Sequence, residues 1–209
     1  RPRAARKASS SKQSATSNVM KDGIPLGVLG GSGIYALEGL KNPRECVLET
    51  PFGAPSDAIV IGELEGVRAA FIPRHGRGHR LSPSEVPYRA NLWALRSLGV
   101  HRILSASAVG SLREDLAPGD FVLADQFVDR TVARARSFFG EGAVVHVPLA
   151  EPCCAATGVA VAAAAAGMPL RVHTGGTYVC IEGPQFSTLA ESKMHRALGF
   201  DLVGMTNAT

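Results

Sequence analysis

Apolar and polar positions alternate along this chain between two periods, and the alternation lays out the elements. The run Ile24-Pro25-Leu26-Gly27-Val28-Leu29 reads as a buried strand that ends in the turn Gly30-Gly31-Ser32-Gly33. Between Glu45 and Ile72 three short apolar runs, Cys46–Leu48, Ala58–Gly62 and Val67–Ile72, are separated by Gly/Pro/Ser/Asp and Glu/Gly segments, as in a meander or hairpin. Pro83 and Pro87 then precede Tyr88 to Leu98, where Leu92, Leu95 and Leu98 recur at helical spacing and Gly99 stops the element. Further strands are predicted at Arg102–Ala108, Phe121–Ala124, around His146-Val147-Pro148, at Gly176–Ile181 and at Phe200–Gly204. Helices are predicted at Ala155–Ala166, ended by Gly167, and after the capping box Thr188-Leu189-Ala190-Glu191, with Ala190, Met194 and Leu198 on one apolar face. Asp125 to Phe139 reads as a long polar and aromatic connection, best suited to a subunit contact. The whole pattern predicts an α/β fold in which a mixed, mostly parallel central sheet is flanked by helices.

Composition narrows the class. At 209 residues, 45% hydrophobic and 19% charged, the chain suits an ordinary globular domain, and a single domain over 23–209 is expected. The net charge of +4 suggests a nucleic-acid binder until it is located. Of 22 basic and 18 acidic residues, six and one lie in residues 1–22, so the remainder holds 16 basic against 17 acidic. The basic character belongs to a Ser/Ala-rich tail without hydrophobic periodicity, expected to be disordered, and no nucleic-acid partner follows from it. The tail lacks the apolar core of a secretory signal, and Ala155–Leu170 is too weakly apolar to span a bilayer, so a soluble, cytoplasmic protein is expected. Cys46, Cys153, Cys154 and Cys180 show no paired CxxC spacing and read as reduced thiols; no metal site is expected.

Candidate chemistry begins at Phe71–Tyr88, which gathers Arg74, His75, Arg77, His79 and Arg80 directly after a strand. Arginine presents a fixed fork of donors matched to phosphate oxygens, and histidine can add another, so a strand end of this kind suits an anion. Ser32 in its glycine turn, Ser107 after the Arg102 strand and Thr206 after the last strand come from three further strand ends, where open α/β sheets bind ligands. Together they suit a small dianion. The glycine turn matches neither the dinucleotide fingerprint nor the P-loop, and the GxSxG elbow, HExxH and Cys/His metal patterns are absent.

Six ordered motifs carry a family resemblance: Gly27–Ile34, Thr50–Asp57, Arg74-His75-Gly76-Arg77, Gly110-Ser111-Leu112-Arg113, Asp125–Thr131 and Ile181–Ser187. The chain resembles the 5'-methylthioadenosine phosphorylases of the trimeric purine nucleoside phosphorylase family over residues 26–207. The resemblance implies a pentosyltransferase: inorganic phosphate attacks the anomeric carbon of a purine nucleoside, releasing the base and a pentose 1-phosphate. Methylthioadenosine is the substrate implied, in purine and methionine salvage, with a 6-oxopurine nucleoside or methylthioinosine phosphorylase, or a non-catalytic phosphate- or nucleoside-binding fragment, as the alternatives. It further implies no metal or organic cofactor, phosphate being a co-substrate, and a homotrimer. Carried over by motif, Ser32, Arg74, His75, Ser107, Ala108 and Thr206 hold phosphate, Phe186 and Met205 contact the nucleoside, and His146 enters a neighbouring subunit's pocket. Glu182 is a candidate for orienting phosphate or sugar hydroxyls. Family members continue past the Met-Thr motif, and the acid that protonates the departing purine is expected beyond Thr209.

Overall fold

A computed structural model describes residues 23–31 and 38–208. Ser32, the Ser/Ala-rich tail and Thr209 lie outside the described residues. The chain divides into two compact units, Arg1–His79 with Pro87–Ser105, and Arg80–Val86 with Ala106–Thr209.

The first unit is built on five strands: β1 (Leu26–Gly30), β2 (Lys41–Cys46), β3 (Ile59–Leu64), β4 (Val67–Pro73) and β5 (Arg102–Ala106), in the order β2-β3-β4-β1-β5. The meander expected from the sequence is present: β2 pairs antiparallel with β3, and β3 with β4. β1 runs parallel to β4, with Gly30 opposite Pro73. The last five residues of β4, Ala69 to Pro73, are all buried, as an unbroken apolar run between two partners requires. Helix α1 (Tyr88–Ser97) adds Ala94 and Leu95 to a core containing Ile24, Ile59, Ile61, Ile72, Leu98 and Val100. Asn91 is buried beside them without penalty, because its amide donates to Ser56 Oγ at 2.8 Å and its carbonyl oxygen accepts the Ser56 amide at 2.8 Å. Gly99, at φ +85°, ends the helix in a conformation that a residue with a Cβ rarely adopts. Trp93 packs edge-on against Phe52 at 5.6 Å.

The second unit contains β6 (Gly110–Ser111), β7 (Phe121–Leu123), β8 (Gln126–Asp129), β9 (Val172–Thr174), β10 (Thr177–Cys180) and β11 (Leu202–Gly204), with helices α2 (Ala155–Ala165) and α3 (Leu189–Ala197). One sheet runs β6-β11-β10-β8 and a second pairs β7 with β9. β10 is central, parallel to both β8 and β11. Its core is Leu116, Tyr178, Cys180 and Leu202. Of the seven strand pairings with a described register, four are parallel and three antiparallel, which makes the α/β fold mixed with a parallel majority, distributed over three sheets.

Several elements differ from the sequence expectation. The connection expected at Asp125–Phe139 contains β8, because Phe127 and Val128 add to a parallel ladder that no local period announces. The first strand after Leu40 is Lys41–Cys46 rather than Cys46–Leu48, its polar residues being tolerated on a sheet edge. His146-Val147-Pro148 forms no strand and is exposed. Helix α3 has the expected capping box, in which Thr188 Oγ1 accepts the Glu191 amide at 3.2 Å and Glu191 accepts the Thr188 amide at 2.7 Å. It buries His195, however, and leaves Met194 and Leu198 40% and 57% exposed, so the cap sets where the helix starts but not which face turns inward.

Candidate functional site

The five basic side chains that follow β4 separate into two groups. Arg74 and His75 are buried, whereas Arg77, His79 and Arg80 are exposed. The difference follows from the strand: the Arg74 amide donates to Gly30 O at 2.9 Å, continuing the β1–β4 ladder by one residue and carrying its side chain inside. Its guanidinium donates to Leu29 O at 3.2 Å and to Ser105 Oγ at 3.0 Å, which fixes the group beside the ends of β1 and β5. The His75 ring stacks on His79 at 4.2 Å between centroids. The turn is held from outside by Asp57, which accepts the Arg77 amide at 2.9 Å, and by the Arg77–Glu45 ion pair. A cation drawn inside a domain costs free energy unless polar groups compensate it, so a positioned, buried arginine at the carboxyl end of parallel strands suits a bound anion. Ser32 lies outside the described residues.

In the second unit the turn after β11 carries Met205 and Thr206. Thr206 is 8% exposed, and its amide donates to the Tyr178 hydroxyl at 3.1 Å, as does the Asn207 amide at 3.4 Å. Tyr178 reaches this position from β10, the strand paired with β11. The close approach depends on Gly204, where a Cβ would stand 2.5 Å from the Tyr178 hydroxyl oxygen and 2.8 Å from the ring. Asn207 also donates from Nδ2 to Ser107 Oγ at 2.9 Å, so the structure brings together Ser107 and the Thr206 turn, two of the strand ends singled out in the sequence. Ala108 follows Ser107 and is exposed. Phe186 is 87% exposed and His146 is exposed in a loop, positions open to a ligand or a neighbouring chain.

Glu182 is held by groups of the chain itself. Its carboxylate accepts the amides of Val132 at 2.6 Å and Ala133 at 3.1 Å on one oxygen, and the Ser84 hydroxyl and Arg134 Nε, at 3.1 Å, on the other. Four protein donors thus converge on this carboxylate. The Ser84 hydroxyl first, and then the Val132 amide, hold its pKa down to about 2. Arg134, Tyr178 and Asn207 were not marked by the sequence pattern. Arg134 sits in a stretch with no helical or strand period, and its hydrogen-bond partners lie 48 and 71 residues away.

The model of the phosphorylase superfamily matches residues 25–209. The chain belongs to that superfamily, and its mixed α/β fold is that of nucleoside phosphorylase structures. Among its curated relatives, the S-methyl-5'-thioadenosine phosphorylase of Geobacter sulfurreducens is 57% identical over 183 residues, covering 87% of this chain and 64% of that one. The enzyme of the same name from Hyperthermus butylicus is 51% identical over 182 residues, covering 87% and 66%. Among solved structures, a methylthioadenosine phosphorylase from an Antarctic soil metagenomic library superposes with a TM-score of 0.83 at 52% identity, covering 89% of this chain and 66% of that one. The Schistosoma mansoni methylthioadenosine phosphorylase in complex with adenine gives 0.83 at 42% identity, covering 88% and 74%. This chain spans less than two thirds of the length of the curated relatives it matches. Among the described residues, no helix is long and apolar enough to cross a membrane.

Proposed function

We propose that the protein is a pentosyltransferase that cleaves 5'-methylthioadenosine with inorganic phosphate, giving adenine and 5-methylthioribose 1-phosphate. The observation that carries this reading is identity above 50% to relatives of that name across 87% of the chain. The buried, oriented Arg74 and His75 at the end of β4 supply the physical support. A phosphate oxygen attacks the anomeric carbon, the bond to the purine nitrogen breaks with its electron pair leaving on the purine, and that nitrogen takes a proton. The transition state is oxocarbenium-like, so a phosphate dianion held in place both stabilises the developing positive charge and acts as nucleophile.

In this reading Ser32, Arg74, His75, Ser107, Ala108 and Thr206 hold phosphate, Phe186 and Met205 contact the nucleoside, and His146 serves a neighbouring subunit of a homotrimer. Phosphate is the co-substrate, and no metal or organic cofactor takes part. The protein works in the cytoplasm, in purine and methionine salvage. The adenine found in the Schistosoma mansoni relative favours a 6-aminopurine over a 6-oxopurine.

The test measures release of adenine and hypoxanthine from methylthioadenosine, adenosine, methylthioinosine and inosine, each with and without phosphate, using the protein as its natural gene encodes it. Phosphate-dependent adenine release, fastest from methylthioadenosine, is expected. Preferential hypoxanthine release, or release that ignores phosphate, would overturn the assignment.

A further inference from the structure

We propose that Arg134 is a positioning residue, which acts with Glu182 to fix the carbonyl of Met205 and so sets the orientation of the turn that presents Met205 to the nucleoside. The proposal rests on the reading of Met205 as a nucleoside contact.

Three features of the second unit lead to it. The Arg134 side chain is only 2% exposed, and its fork donates to acceptors in three directions. Nε donates to Glu182 Oε1 at 3.1 Å, one terminal nitrogen to the Glu182 carbonyl at 2.6 Å and the other to the Met205 carbonyl at 2.6 Å. A planar guanidinium meets these three directions at once, and a lysine ammonium does not reproduce them. Glu182 is itself fixed by Ser84, Val132 and Ala133, so the pair forms a rigid bracket around one backbone carbonyl.

The second feature is the loop that follows Glu182. Gly183 has φ +69°, and a Cβ there would stand 2.6 Å from Met205 Sδ and 3.4 Å from Pro83. The pair therefore anchors both the backbone of Met205 and the loop that lies against its side chain. The third is a division of labour along the turn. The Tyr178 hydroxyl accepts the amides of Thr206 and Asn207, and the Ile181 amide donates to Gly204 O at 2.9 Å. The Met205 carbonyl is thus held by a side-chain cation, while the Thr206 side has the Tyr178 hydroxyl as its own support.

This division makes the proposal testable by a split between substrates. With the naturally encoded protein, Arg134→Lys keeps the charge but loses the fork. Its KM for methylthioadenosine is expected to rise on the order of 10-fold while the KM for phosphate stays within about 2-fold. Glu182→Gln, which leaves Arg134 in place but weakens its partner, is expected to act in the same direction, and the double variant to fall short of the product of the two because they share one network. Near-ultraviolet circular dichroism checks that each variant is folded, and Glu182→Gln carries the test if Arg134→Lys is not.

A folded variant with a lower melting temperature and both KM values unchanged would show a purely structural residue and overturn the proposal, as would equal rises for both substrates. Titration calorimetry with adenine separates this outcome from failure of the proposed reaction. If the natural protein binds adenine without turnover, the phosphorolysis reading fails, yet weaker adenine binding by Arg134→Lys still supports positioning. Equal binding by the two forms, or no adenine binding by the natural protein, overturns it.

Discussion

The two units fix their candidate ligand groups by different physics. In the first, Arg74 and His75 ride on β4, whose Ala70 and Ile72 lie in a core with Ile59, Ile61 and Leu95, and the group is placed by apolar packing and a strand ladder. In the second, the Met205–Thr206 turn is placed by polar groups: Arg134 on one carbonyl, Tyr178 on two amides and Glu182 behind the arginine. Packing tolerates modest change, because removed surface costs free energy in proportion to its area. A buried ionic network does not, since taking away one partner leaves a charge without compensation.

The largest effect expected from that contrast is Arg134→Met, which leaves the Glu182 carboxylate without its cation and should cost about 3 to 5 kcal/mol in chemical denaturation. A loss below about 1 kcal/mol would show that the ionic bracket is not what holds the second unit. Leu95→Ala, in the core of the first unit, should cost about 2 to 5 kcal/mol, and its phosphate KM should rise only as far as β4 relaxes. Acid should distinguish the units next. In the second unit, Glu85, Asp115, Asp120, Glu182 and Glu191 have lowered pKa values. A carboxyl whose pKa is depressed on folding stabilises the fold above its unfolded value and loses that contribution as it takes up its proton. For Glu182 the loss runs from about pH 4.5 down to about 2. Amide exchange across this range should show peptides from 106–208 losing protection before those from 38–79, and the reverse order would contradict the contrast. The smallest effect belongs to Glu45→Gln, which breaks an exposed pair with Arg77 and should change stability by less than about 1 kcal/mol.

The same contrast explains what could be read from the sequence. β4, α1 and the capping box of α3 are local: an apolar run, a three-residue recurrence and a Thr-x-x-Glu pattern each carry their own signal. Arg74 and His75 were legible because they follow such a run directly. Arg134 and Tyr178 were not, because what they do depends on partners up to 71 residues away and on a parallel register that local period does not encode. The carboxylate of Glu182 stands out in the sequence, but only the fold shows Val132, Ala133, Ser84 and Arg134 around it. His146-Val147-Pro148 reads as a small apolar strand in the sequence, yet it lies in an exposed loop. Polar residues of an amphipathic helix are expected outside, yet His195 is the residue that α3 buries.

In the proposed reading Arg74 acts on phosphate, to which Ser107, Ala108 and Thr206 of the second unit also contribute, whereas Arg134 acts on the nucleoside through Met205. The most direct test compares steady-state kinetics of adenine release from methylthioadenosine for Arg74→Gln and Arg134→Lys in the natural protein. Loss of charged hydrogen bonds at Arg74 should raise the phosphate KM about 10- to 100-fold and leave the nucleoside KM nearly unchanged, the mirror image of Arg134→Lys. If both variants raised the two KM values together, the separation of roles between Arg74 and Arg134 would be wrong.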